Sequence, residues 1–183
     1  MLLVDHQIKA LALQGMIEPF IDHQVRDGVI SYGLGSTGYD IRVANEWMRV
    51  PDGISHTFDP KNPRKDWWEN VVSDSEFPLR PGHFILGRSL EYIRMPRDVV
   101  GVVLTKSTYA RTGIFCNITP LEGGWEGTIT IEIANLGHNS VYIYPNEGIA
   151  QILFFKTDEQ CDVSYADRKG KYQGQTGVTL GKV

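Results

Sequence analysis

From residue 127 to 135 the chain reads Gly-Thr-Ile-Thr-Ile-Glu-Ile-Ala-Asn, so in an extended segment Ile129, Ile131 and Ile133 share one face and Thr128, Thr130 and Glu132 the other. The isoleucines require a core, and the opposite face meets either solvent or a polar cleft. Other runs rich in β-branched and aromatic residues, bounded by Gly, Pro and Asn, predict strands at 39–44, 83–89, 99–105, 114–118, 141–144 and 149–155. Only residues 5–14 carry a helical pattern, with Ile8, Leu11 and Ala12 as the apolar stripe, Asp5 placed to cap it and Gly15 to end it. Short, closely spaced strands favour a β-sandwich or barrel over alternating β and α units, so the predicted fold is mainly β with few helices.

Two segments break this pattern. Residues 52–76 hold Pro60, Pro63, the adjacent Trp67 and Trp68 and many charges; they predict a surface insertion with a helical turn, its tryptophans packed locally or covered by a neighbouring subunit. Residues 167–183 carry Gly170, Gly174, Gly177 and Gly181 among Lys, Gln and Thr, as in a lid that bends over a ligand or in a disordered end. With no repeat and no linker, residues 1–183 are expected to form one domain with an insertion around 52–76 and a mobile C-terminal lid around 167–183.

Composition adds exclusions. The net charge is −4 and the cations are scattered, which argues against a nucleic-acid footprint while leaving room for a small anion. No run of ~18 apolar residues and no basic-then-apolar leader is present, so the expectation is a cytoplasmic protein without membrane attachment. Cys116 and Cys161 lie far apart in no spacing motif and are expected as reduced thiols.

Two places offer chemistry. Glu132, on the polar face, is either an exposed strand carboxylate or a general acid/base. Directly after the apolar run ending at Leu104 comes Lys106-Ser107-Thr108-Tyr109-Ala110-Arg111-Thr112-Gly113, where Ser107 is placed to cap a short helix. Its N–H groups, with Lys106, Thr108 and Arg111, would suit an anion; the plain alternative is an ordinary helix start.

Taken together the chain resembles the dCTP deaminase family of the trimeric dUTPase-like superfamily. The motifs that carry the likeness are Lys-Ser-Thr-Tyr-Ala-Arg at 106–111, Asn-Ile-Thr-Pro-Leu-Glu at 117–122, Trp125-Glu126-Gly127, Thr130-Ile131-Glu132-Ile133, Asn-Glu-Gly-Ile-Ala-Gln at 146–151, Val163-Ser164-Tyr165 and Gly-Lys-Tyr-Gln-Gly-Gln at 170–175. Residues 15–20 and 38–42 fit as well, so the likeness spans nearly the whole chain. It implies a distorted β-barrel or jelly-roll of the dUTPase type, with a short N-terminal helix, assembled as a homotrimer with active sites at subunit boundaries.

Carried over by position, Glu132 matches the family's catalytic acid/base, and Arg111 and Ser107 the residues beside the reacting water. Lys106, Ser107 and Thr108 match phosphate contacts; Gln151, Tyr165, Lys171 and Gln175 match further nucleotide contacts. Glu122 stands where relatives place an acid beside the deoxyribose, and Tyr109, Ala110, Thr130 and Ile131 belong to the same substrate-binding segments. The implied activity is hydrolysis of dCTP to dUTP and ammonia, feeding dUMP and dTTP synthesis, with Mg²⁺ on the triphosphate and dTTP as a possible feedback inhibitor. None of His6, His23, His56, His83 and His138 is followed two places on by Glu, so the zinc signature of other base deaminases is absent and the histidines read as surface or packing residues. Thr105, Gly123-Gly124 and Leu136-Gly137-His138 depart from the family pattern around the base and sugar, and leave open plain or modified cytosine. Two rivals stand beside this reading. One is pyrophosphate release from dUTP, alone or after deamination, with Glu122 activating water. The other is a non-catalytic deoxynucleotide sensor, against which the Glu132, Arg111 and Ser107 set argues.

Overall fold

A computed structural model describes residues 1–53 and 57–183. Helix α1 (Asp5–Ala12) forms where the apolar stripe predicts it, with Ile8 and Ala12 buried. Its N-cap is Val4 rather than Asp5: the Gln7 side chain accepts the Val4 N–H at 3.1 Å, while Asp5 lies in the first turn, where its charge suits the helix dipole. Gly15, at φ +97°, provides the left-handed step that ends it.

The rest is β-structure. The strands are β1 (Ile17–Glu18), β2 (Gln24–Val25), β3 (Tyr32–Leu34), β4 (Tyr39–Arg49), β5 (Glu69–Val72), β6 (Phe77–Leu79), β7 (Phe84–Arg94), β8 (Val99–Thr105), β9 (Ile114–Asn117), β10 (Glu126–Asn135), β11 (Val141–Ile143) and β12 (Gly148–Lys156). Ten of them form one sheet that runs β2-β3-β4-β7-β10-β9; β12 pairs with β4 and β8, β1 with β7 and β5 with β4, while β6 and β11 make a separate pair. Strand β4 is the pivot. Its residues 39–42 pair with β12 and its residues 46–49 with β5, and its register on β7 shifts between Val43 and Trp47. A strand that changes partners across such a shift bends, and the sheet curls into a distorted half-barrel. Inside lie Tyr39, Ile41, Trp47, Ile93, Ile131, Ile133, Ile152 and Phe154, all buried.

The mainly β architecture with a short N-terminal helix is therefore as predicted, and the differences are local. Strands β4 and β7 run past their expected ends at 44 and 89. The 52–76 segment holds the expected helical turn, a 3-10 turn at Lys65–Trp67, but also strand β5, so part of it belongs to the sheet. Residues 54–56 of that segment, with the His56 reading, lie outside the described residues. Trp67 and Trp68 pack locally against Phe58, with ring centroids 5.6 and 5.8 Å apart. Helix α2 (Ser107–Ala110) is a single turn capped by Lys106 instead of Ser107, without a side-chain cap bond. Cys116 is buried and Cys161 exposed, both free; burial pushes the Cys116 thiol up to about 12. Among the described residues no helix is long and apolar enough to cross a membrane.

One buried polar cluster pins three central strands. The fully buried Glu91 accepts the Arg42 backbone N–H at 3.0 Å and its Nε–H at 2.8 Å, and burial holds its carboxyl above the ordinary carboxylate range. Ser89 Oγ donates to the Glu91 carbonyl at 2.6 Å and accepts the Ile129 N–H at 2.8 Å, which ties β7 to β10. Glu91→Ala would strand the Arg42 guanidinium and leave its N–H without an acceptor. The expected cost is about 3–5 kcal/mol of stability, read as a lower urea midpoint at unchanged m-value.

Candidate active site

The site is built outward from β10. Ile129, Ile131 and Ile133 are buried, so Thr130 and Glu132 face the outer side of the sheet. Glu132 stands opposite Leu86 on β7 and Asn117 on β9, and Thr130 opposite Arg88. The register shifts between Thr128 and Thr130, and Thr128, expected on the same polar face, is buried with its N–H donated to the Gln175 carbonyl at 2.9 Å. Over this face lies a cavity of about 520 Å³, within the ~300–1,000 Å³ typical of small-molecule sites.

Four parts of the chain wall it. The sheet supplies Leu86, Thr130 and Glu132, and the 118–122 segment supplies Glu122. The insertion supplies Phe58, Arg64, Trp67 and Trp68, and the C-terminal region supplies Tyr165, Tyr172, Gln175 and Thr179. The tail is docked by specific bonds. Gln175 Nε2 donates to the Thr128 carbonyl at 2.8 Å, the Thr179 N–H to Thr130 Oγ1 at 3.2 Å, and Trp125 Nε1 to the Tyr172 carbonyl at 3.1 Å.

The electrostatics separate the two cavity carboxylates. Glu132 is half-buried, and desolvation holds its carboxyl above the usual carboxylate range against a weak opposing hydrogen bond from Asn117 Nδ2 at 3.4 Å. Glu122 lies at the rim, half-exposed and ion-paired with Arg168, whose guanidinium sits 5.1 Å over the Tyr165 ring. A carboxyl partly removed from water takes up and returns protons more readily near neutral pH than one fully in water. Among the described residues no group of three or more His, Cys, Asp and Glu could hold a metal ion.

The other residues singled out in the sequence lie elsewhere. Thr108, Tyr109 and Arg111 line a second, open concavity with Tyr142 and Tyr144. Arg111 is exposed, as are Ser107 and Ala110 on the same helical turn, whereas the Tyr109 ring is buried and its hydroxyl accepts the Tyr144 N–H at 3.0 Å. Lys106 and Gln151 meet at Asp40, which accepts the Lys106 ammonium at 2.5 Å and the Gln151 amide at 3.2 Å. Ile131 has its side chain wholly in the core and offers only main chain. Lys171 Nζ donates to the Lys182 carbonyl at 2.5 Å within the tail.

The departures from the family pattern have local reasons. Thr105 Oγ1 accepts the Cys116 N–H at 2.8 Å and so holds β9, the strand beside Glu132. A Cβ on Gly123 would come within 2.7 Å of the Arg97 carbonyl oxygen, and one on Gly124, at φ +79°, within 2.6 Å of the Ser164 Cβ. The glycine pair lets the chain cross there and presents Glu122. Gly137 passes Gly113 equally closely, where a Cβ on Gly113 would lie 2.8 Å from the Gly137 Cα.

Sequence reasoning missed Asp40, Asn117 and the aromatic side of the cavity. Two adjacent tryptophans in a polar, proline-bearing segment were the available signal, since such residues seldom lie there without a surface to cover.

Residues 2–157 match the family model described as dCTP deaminase-like. The chain is 51% identical over 179 residues to a dCTP deaminase of Acidobacterium capsulatum, with 98% of this chain and 97% of that protein covered. It is 53% identical over 180 residues to a dCTP deaminase of Herpetosiphon aurantiacus, again covering 98% and 97%. The crystal structure of a 2′-deoxycytidine 5′-triphosphate deaminase from Agrobacterium tumefaciens superposes with a TM-score of 0.64 at 17% identity, over 84% of this chain and 47% of that one, a likeness of fold. With the family model covering most of the chain and these relatives covering nearly all of it, the chain belongs to the dCTP deaminase-like family.

Proposed function

We propose that this protein hydrolyses dCTP to dUTP and ammonia. The observation that carries the reading is Glu132, a carboxyl raised by burial on the wall of a nucleotide-sized cavity. As carboxylate it takes a proton from water while the oxygen adds to C4 of the cytosine, and it passes that proton to N3. The adduct then collapses: the remaining hydroxyl proton moves through Glu132 to the amine, the C4–N bond breaks, C4=O forms and ammonia leaves. Glu122 at the rim faces the deoxyribose. Mg²⁺ arrives on the triphosphate, held by phosphate oxygens and water, and dTTP, with the same sugar and triphosphate, is the expected competing ligand.

The working unit in this reading is a homotrimer. One copy holds Glu132 in a cavity and Arg111 in a separate, exposed concavity, and a closed symmetric ring sets one copy's Arg111 face against the next copy's cavity. The half-exposed Phe115 and the largely exposed Leu136, at the ends of β9 and β10, are apolar surface that such an assembly covers. Arg111 and Ser107 would then orient the water, and Lys106, Thr108, Lys171 and Gln175 would take the phosphates. Each chain acts as one domain whose segment from Gly170 onward closes over the triphosphate, in a cytoplasmic setting.

Three measurements test this. Glu132→Gln keeps shape and hydrogen bonding but cannot cycle a proton, so single-turnover release of ammonia should fall by ~10²–10⁴-fold with dCTP binding retained. Pyrophosphate assayed in parallel distinguishes deamination from dUTP hydrolysis, and a rate within a few-fold of the parent moves the proton chemistry away from Glu132. Inactive Glu132→Gln and Arg111→Ala proteins, unfolded together and reassembled, should regain part of the parent activity if each site draws on two copies; light scattering showing a stable monomer at micromolar concentration removes the shared site. Deleting residues 170–183 should collapse turnover while the barrel stays folded; parent-like kcat and KM would leave the tail without a part in the reaction.

A further inference from the structure

The cavity has an aromatic side that the proton chemistry leaves unexplained. Phe58 lies edge-on to Trp67 and tilted against Trp68, and Trp68 meets the Phe84 ring edge-on with centroids 5.7 Å apart. Phe84 is on β7, two residues from Leu86, which pairs with Glu132. A continuous aromatic path therefore runs from the insertion to the strand beside the carboxyl. Phe58 and Phe84 remain 47% and 41% exposed. The insertion's polar groups are engaged with one another: Arg64 forms two hydrogen bonds to Asp66, at 2.9 and 2.7 Å, and lies 5.4 Å over the Trp67 ring. Asp59 accepts from Asn62 and from the Lys61 N–H. Apolar area is thus turned to the cavity while Arg64, Asp66 and Asp59 are engaged within the segment.

We propose that the 58–68 segment is the apolar wall of the deamination site, and that Trp68 is a positioning residue that keeps bulk water from Glu132 and packs against the bound base. The inference rests on the reading of Glu132 as the proton carrier. The wall admits one attacking water and a flat heteroaromatic ring, and excludes the solvent that would level the carboxyl with ordinary exposed acids.

The groups around Glu132 favour this arrangement. From β9, Cys116 stays a neutral thiol, and Asn117 gives one long hydrogen bond. From β7 and β4, Arg88 is held bidentately by Glu46 at 3.0 and 2.7 Å. Glu122 is held by Arg168, Arg64 by Asp66, and the tail brings the side chains of Tyr165 and Tyr172. Among the described residues no unpaired cation lines the cavity, so the degree of wetting governs the Glu132 carboxyl.

The test compares Trp68→Ala and Trp68→Phe with the parent in the full chain, measuring kcat and KM for dCTP between acid and neutral pH. Opening the wall should lower kcat about tenfold or more and move the acidic limb of kcat to lower pH, as the wetted carboxyl falls back toward its free value of ~4.3. Phe should restore both. A mere packing role would cost stability but leave the limb in place. If Trp68→Ala fails to fold, Phe58→Ser, at a half-exposed position outside the sheet, carries the same expectation. An active parent whose variants keep its kcat and its acidic limb overturns the wall and leaves the deamination reading standing. A parent that releases no ammonia from dCTP overturns that reading, and the wall with it.

Discussion

The molecule depends on the two-sidedness of β10. Its isoleucines fill the half-barrel while Thr130 and Glu132 stand on the opposite face, and a slip of one residue would exchange them, burying Glu132 and exposing three isoleucines. The Ser89 and Glu91 bonds hold β7, β10 and β4 in the register that prevents this. The orientation of the carboxyl thus follows from core packing, and its proton affinity follows from what covers the outer face. Fold and chemistry share the strand but not the side.

That division explains what could be read in the sequence. Period-two alternation over 127–135 located β10 and its faces, because one strand's pattern is a local property. Strand β5 was hidden because its pairing with β4 is made across an insertion with no alternation of its own. The ends of β4 and β7 were placed too early because strands covered on both faces lose the alternation that marks them, as the adjacent buried pair Trp47 and Met48 shows. Caps were misplaced by one residue: Asp5 and Ser107 are good capping types, yet each sits just inside its helix. Of the site, the motifs named residues, but only the fold shows that Glu132, Glu122, Thr130, Tyr165 and Gln175 share one cavity while Arg111 and Thr108 share another.

The separation of Glu132 from Arg111 has a chemical sense under the proposed mechanism. A guanidinium always beside the carboxyl would stabilise the carboxylate and weaken it as a base. Supplied from a different surface, the same cation acts on water and substrate where the surfaces meet, and the burial of Glu132 within its own chain is left intact. Proton affinity and substrate orientation are then set by separate parts of the structure.

The two cysteines carry a practical consequence. The Cys116 thiol is shielded in the core and stays protonated far above physiological pH, while Cys161 lies open to solvent, and its N–H and carbonyl are both bonded to Arg97. Alkylating reagents will therefore mark one position per chain, at the root of the segment that leads through Ser164 and Tyr165 to the tail. A fluorophore carried there sits outside the cavity on a stretch anchored to the barrel, so its signal would report whether the last residues move when a nucleotide is added, without altering a side chain that lines the cavity.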